Sequence, residues 1–295
     1  MVIIGYFADG PWSHNAMDIL LARPGIAIAF VCARYDNPDS KLREKAESEG
    51  IPFLVHNNVN SSDFLASVRP YECDLFVSMS FNQIFKKDVM EAVPLGIINC
   101  HAGRLPYYRG RNVLNWALIN DEKEFGVTVH YVDEGIDTGE IIRQRTFPIT
   151  DNDDYSTLLE LAYIGCTEVL EEAIGDILEG NVNRIAQDDI HPFGIYCTPR
   201  GPGDERLNWN QSSRQVFNFV RAICPPGPSA RCFRGNQEMQ VHKVIYLGDA
   251  PSYIGVSGAI LAKDRNGFLV KTADSYVRVV DWDADFTPRV GDRLN

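Results

Sequence analysis

The chain has 295 residues, 45% apolar, 23% charged and 11% aromatic, with a formal net charge of −12. These proportions exclude a disordered, collagenous or coiled-coil chain. At about 150 residues per domain the length predicts two domains, whose cores need neither disulfides nor a metal staple. The charge is uneven: residues 1–204 hold 16 Lys and Arg against 31 Asp and Glu, net −15, while residues 205–295 hold 12 against 9, net +3. Nucleic-acid binders show a dense basic face, and neither half clusters its Lys and Arg in sequence, so no nucleic-acid partner is expected.

In chain order, runs rich in Val, Ile and Phe at 2–7, 27–33, 51–55, 74–78 and 96–100 predict strands. The segments between them, such as 13–22 and 38–49, open on Ser, Asp or Pro and predict helices. Nearly continuous apolar strands alternating with helices make a mostly parallel sheet covered on both faces, an α/β, Rossmann-like beginning. Ala8-Asp9-Gly10-Pro11-Trp12 follows the first strand in place of Gly-x-Gly-x-x-Gly, which weakens any dinucleotide reading. Residues 125–131 and 139–147 alternate as two later strands, and 155–179 repeats Leu158, Leu161, Val169, Ala173 and Ile177 near the helical period. Residues 185–207, with three prolines and three glycines, read as a linker between domains at 1–184 and 208–295. The second domain combines a helix at 212–224, stopped by Pro225-Pro226-Gly227-Pro228, with about five short strands in 229–283, which suggests a small mainly-β, OB-like barrel.

The apolar run Ile26–Ala33 falls far short of the roughly 20 residues that span a bilayer, so no membrane partner is expected. Residues 1–7 enter a strand with no basic n-region, which predicts no signal peptide and a cytoplasmic location. Seven cysteines without a Cys-x-x-Cys pair fit neither a disulfide framework nor a zinc site; buried reduced thiols and no metal are expected.

The chemistry starts at Asn99-Cys100-His101, where a strand end places two polar side chains at i and i+2 on one side. Ligands of open α/β sheets bind beyond the carboxyl ends of the strands, so Asn99 and His101 face one site. Asp9 and Trp12, beyond the first strand, lie at the same edge of the sheet.

The order Asn99-x-His101, Leu105-Pro106-Tyr107-Tyr108-Arg109-Gly110, Gly126-Val127-Thr128-x-His130 and Asp137-x-Gly139-x-Ile141 resembles the formyltransferase family that uses 10-formyltetrahydrofolate. That family includes methionyl-tRNA formyltransferase and the nucleotide-sugar N-formyltransferases. The match is specific over 96–147 and weaker over 1–95; Asn208-Trp209 and the run 221–228 resemble the family's C-terminal barrel. The resemblance implies a catalytic trio of Asn99, His101 and Asp137. A histidine can take the amine proton at neutral pH, an asparagine amide can donate to a tetrahedral oxyanion, and an aspartate can orient the histidine or relay its proton. His130 is expected to pack or hydrogen-bond beside the site. The tract Ser78–Phe85 corresponds to the pterin loop, with Met79, Ser80, Phe81 and Ile84 on one wall and Asp133, Gly135 and Ile136 on the other.

The resemblance also places Tyr107, Tyr108 and the arginines Arg104, Arg109 and Arg111 on the second substrate, since bidentate arginine is a natural partner of a diphosphate. The expected acceptor is the amine of a UDP- or dTDP-linked amino-dideoxy sugar, used for a surface polysaccharide or flagellin glycan. Methionyl-tRNA and a folate-binding protein without turnover are the alternatives, and a homodimer is common among similar proteins.

Overall fold

The computed structural model describes residues 1–295. The elements of the first half are β1 (Val2–Ala8), α1 (Pro11–Ala22), β2 (Ile26–Ala33), α2 (Ser40–Ser48), β3 (Phe53–Val55), α3 (Ser62–Val68), β4 (Leu75–Met79), α4 (Lys87–Met90), β5 (Ile97–His101), β6 (Arg109–Gly110) and α5 (Val113–Ile119). They are followed by β7 (Glu124–Tyr131), β8 (Ile141–Pro148), α6 (Tyr155–Glu179), α7 (Gln187–Ile190) and β9 (Tyr196–Cys197). The remainder holds α8 (Ser213–Ile223), β10 (Ala230–Arg234), β11 (Gln237–Ile245), β12 (Ile260–Asp264), β13 (Gly267–Lys271) and β14 (Tyr276–Ala284). The chain divides into two compact units: Met1–Gly110 with Phe125–Phe147 and Glu160–Cys197, and Arg111–Glu124 with Pro148–Leu159 and Thr198–Asn295.

The first unit is built on a seven-stranded sheet of order β3-β2-β1-β4-β5-β7-β8. Its first five strands pair in parallel, and β7 meets β5 antiparallel. The central strands are buried on both faces, as their unbroken apolar sequences require. One face holds an aromatic core in which the Phe7 ring lies 5.0 Å from Phe76 and from Phe85 and 5.6 Å from Phe30. Gly5 makes room for it, because a Cβ there would come within 2.6 Å of the Phe30 ring.

The second unit carries an antiparallel sheet of order β10-β11-β14-β13-β12. The chain end lies along both edges of this sheet: Phe233 and Asn295 exchange two backbone hydrogen bonds, while Leu294 bonds Gly258 and Ile260 bonds Asp292. The tail thereby bridges the two edges of the sheet, as in a small barrel. The α8 helix begins with a capping box, the Ser212 hydroxyl accepting from Gln215 N and the Gln215 side chain from Ser212 N. Within this unit α5 meets α8, where the Asn115 side chain donates to Ala222 O at 2.6 Å.

Residues 185–207 are more than the connection their composition suggests: Ile185 bridges Ile141, α7 follows, and β9 pairs with β6. The sequence reading also does not separate out α3 and α5, each only seven residues long. No helix is long and apolar enough to cross a membrane.

Candidate active site

The site is assembled from two paired strands. Asn99 and His101 are i and i+2 on β5, and the antiparallel register sets Asn99 opposite His130 and His101 opposite Thr128 on β7. Asn99, His101 and His130 therefore project from one face. The turn between β7 and β8 brings Asp137 to the same place, with its carboxylate 3.7 Å from His101 Nδ1 and 3.6 Å from His130 Nε2. His130 is buried, and His101 is nearly so at 9% exposure.

Hydrogen bonds assign the imidazole tautomers. His101 Nε2 lies 2.7 Å from Tyr108 O and must carry the proton, which leaves Nδ1 as the basic nitrogen on the side of Asp137. His130 Nδ1 lies 2.7 Å from Tyr131 O and is likewise the donor, so its Nε2 accepts from Asn99 Nδ2 at 3.3 Å. Burial opposes ionisation of Asp137, but His101 and His130 in their protonated, charged forms, together with the Gly110 N–H, outweigh it and hold the carboxyl below the usual carboxylate range. The result is an ionised carboxylate facing two imidazoles, with an amide alongside.

The motif residues around this group have identifiable tasks. Thr128 Oγ1 donates to Gly103 O at 2.7 Å and accepts from Gln144, whose amide also donates to Leu105 O, fixing the loop that follows His101. Gly103 lies so close that a Cβ would stand 2.4 Å from both His101 Nε2 and Tyr108 O. Gly139 is equally constrained, since its Cβ would lie 1.8 Å from Tyr131 O.

Other expected residues are distributed differently. Asp9 stands at the end of β1, two strands from β5, with Arg34 Nη1 3.7 Å away and its Oδ1 buried without a partner. Burial pushes its carboxyl up while Arg34 opposes the change. Trp12 packs edge-on against Tyr163. Met79 lies on β4, between β1 and β5, and its side chain is buried at 1% exposure. Phe81 stacks on Phe85 beside that core. Ser80 has a left-handed φ of 58° and is exposed. Ile84 and Ile136 are the exposed apolar groups, at 61% and 49%. Asp133 turns back on its own loop, accepting from Gly135 N and Thr138 Oγ1.

Of the arginines, Arg104 is exposed, and Arg111, also exposed, belongs to the second unit. Arg109, expected on the second substrate, is buried and bonded within the protein. Its Nε and Nη2 both donate to Gln187 Oε1, at 3.0 and 2.7 Å, and its guanidinium lies over Tyr196. The reason is the pairing of β6 with β9, which covers that side chain. Tyr107 lies against His191. Gln187 itself went unread in sequence, since no spacing marks a residue that meets its partner 78 positions away.

Two family models cover most of the chain: Formyl transferase over residues 13–163 and Formyl transferase, C-terminal domain, over 201–285. A methionyl-tRNA formyltransferase of Azobacteroides pseudotrichonymphae genomovar. CFP2 is 34% identical over 248 residues, 81% of this chain and 76% of the relative. Among solved structures, WlaRD, a sugar 3N-formyl transferase in the presence of dTDP and 5-N-formyl-THF, matches with a TM-score of 0.72 at 20% identity, over 98% of this chain and 99% of its own. The N-formyltransferase from Helicobacter canadensis, in complex with folinic acid and dTDP-3-aminofucose, matches with 0.70 at 20% identity, over 96% and 100%. With both domains matched, a sequence relative above 30% identity and the same fold in the sugar enzymes, this chain belongs to the formyl transferase family and is a formyl-transferring enzyme.

Proposed function

We propose that this protein transfers a formyl group from 10-formyltetrahydrofolate to the amine of a nucleotide-linked amino-dideoxy sugar in the cytosol, with UDP- or dTDP-4-amino-4,6-dideoxy sugars as the first choice. The observation that carries the reaction is the arrangement of Asn99, His101 and His130 around the ionised Asp137. The amine nitrogen attacks the formyl carbon and its proton passes to His101 Nδ1. The Asp137 carboxylate stabilises the imidazolium that forms. Asn99 Nδ2 keeps a second N–H for the tetrahedral oxyanion, a contact worth about 10²–10³ in rate in comparable sites. Collapse breaks the bond from carbon to the folate nitrogen, which takes the proton back from the His101 imidazolium, leaving a formamide, tetrahydrofolate and neutral His101. The exposed Ile84 and Ile136 suit the apolar face of a pterin.

The choice of a sugar over an RNA acceptor rests on charge. Residues 1–204 are net −15. In the second unit Arg214, Arg221, Arg231, Arg234 and Arg278 each pair with a carboxylate, so these five are already partly neutralised by the protein itself. The second reading, methionyl-tRNA formylation, is favoured by the name of the 34% identical relative. The deciding experiment incubates the enzyme with 10-formyltetrahydrofolate and either a panel of UDP- and dTDP-aminosugars or methionyl-tRNA, following product mass. A formylated sugar supports the proposal, and formyl-methionyl-tRNA alone overturns it. Folate binding without turnover on any amine indicates a regulatory folate-binding protein.

A further inference from the structure

We propose that Gln187 is a positioning residue for formyl transfer: its side-chain amide, gripped by Arg109, holds the main chain of the turn that presents Asp137 to His101 and His130. The inference rests on the reading of Asp137 as part of the reacting group. Gln187 lies outside the 96–147 motif and is buried, with 3% exposure.

All of its hydrogen-bonding capacity is used at one place. Oε1 accepts from Arg109 Nε and Nη2, and Nε2 donates to Asp137 O and Gly139 O, both at 2.8 Å. A flipped amide would set N–H against guanidinium and oxygen against two carbonyls, so the orientation is determined by the network. Asp137 has a left-handed φ of 54°, a conformation that an aspartate adopts at modest cost and that the contacts around it fix. Its carboxylate makes one hydrogen bond to the opposite loop, from Gly110 N at 2.8 Å, next to Arg109 in sequence. Arg109 and Gly110 thus hold the Asp137 turn from two sides, one through Gln187 and the other directly.

The support is fixed at both ends. The segment bearing Gln187 is tied to β8 by the Ile185–Ile141 bridge and to β6 by β9. The Arg109 guanidinium is closely packed: Gly194 lies so near that a Cβ there would come within 2.1 Å of its Nη1, and Tyr196 lies across its face. The stretch that composition reads as a linker is, on this account, the rear wall of the active site.

The test uses the full chain with Gln187→Glu, which keeps the length and the oxygen that meets Arg109 but removes both N–H donors. Turnover is measured with 10-formyltetrahydrofolate and the acceptor that the panel identifies, and ¹⁵N spectra of the histidine imidazoles are recorded alongside. The expected result is a fall in kcat on the order of 10- to 100-fold, with the KM for the folate donor changed less than about threefold. The His101 and His130 resonances should shift as they do in Asp137→Asn, and the double variant should be no slower than Asp137→Asn alone. Wild-type kcat and spectra in Gln187→Glu would overturn the inference, as would losses that multiply in the double variant. If Asp137→Asn itself keeps wild-type turnover, the reading of the site fails, and the imidazole spectra still report whether Gln187 holds the turn. Should Gln187→Glu fail to fold, Arg109→Lys, which keeps the charge and loses the paired N–H groups, gives the same readouts.

Discussion

His101 has its basic nitrogen chosen by a carbonyl. Because Nε2 is committed to Tyr108 O, the nitrogen left to accept a proton is the one facing Asp137. On this reading His101→Ala should lower kcat by about 10²–10⁴ while acceptor binding changes little, since a general base acts mainly in the transition state. Asn99→Ala and Asp137→Ala should cost nearly as much, and the losses should not multiply because the three act as one unit. Near-normal turnover of any single variant in steady-state assays would remove that residue from the mechanism. Gly103→Ala is a subtler test of the same tautomer lock. Its Cβ would have to displace either His101 Nε2 or Tyr108 O, each at 2.4 Å. A shift of that size should reduce kcat by about 10²-fold, with a loss of stability of about 1–3 kcal/mol from overpacking that thermal unfolding would measure. An unchanged kcat would show that the tautomer is not set by this bond.

At the scale of elements, paired strands place the chemistry and charged pairs hold the helices. The β5–β7 register brings His130, about 30 residues on in sequence, to the face that Asn99 and His101 already share. In the second unit Asp121, just past α5, accepts from Arg214 Nε of α8 at 3.0 Å, and Arg214 Nη1 reaches Asp151 at 2.7 Å. Partial burial disfavours ionisation of Asp121, but Arg214, Lys123 and Asn218 overcome this and hold its pKa at about 2. A carboxyl depressed in the folded state stabilises it above the unfolded value of about 3.9 and loses that contribution as pH falls towards 2. Asp121→Asn should therefore destabilise the protein at pH 7 by about 1 kcal/mol, the figure kept low because the side chain is 36% exposed. The gap between variant and wild type should close as pH falls from about 4 to 2, the folded-state value. Denaturant titrations across that range would measure it, and a difference independent of pH would mean that Asp121 acts through packing alone.

For the whole molecule the open matter is the acceptor, and ionic strength reports on it. If residues 205–295 hold RNA, initiator tRNA should bind with a log–log salt slope near −0.9 for each neutralised phosphate of duplex. The pairing of five arginines in the second unit with carboxylates leads us to expect a shallow slope and weak binding. Filter binding of labelled tRNA between low and physiological salt measures this, and tight, steeply salt-dependent binding would move the acceptor to tRNA while leaving the catalytic group as it is.

Periodicity was enough to predict the alternation of strands and helices and the second β domain, and the i, i+2 spacing put Asn99 and His101 on one side of a strand end, while Asp137 was singled out only by the family resemblance. Those features are written locally: a strand is an apolar run, and i, i+2 is already a geometry. Tertiary structure alone decided which polar residues are used by the protein itself. Arg104, Arg109 and Arg111 look alike in sequence, and only the pairing of β6 with β9 shows Arg109 buried against Gln187. Met79 closes an apolar run in sequence, and only the fold shows its side chain to be 1% exposed on a central strand. Gln187, in a stretch rich in proline and glycine, has no local signal, because its role comes from partners 48 to 78 residues away that only the folded chain brings within hydrogen-bond reach.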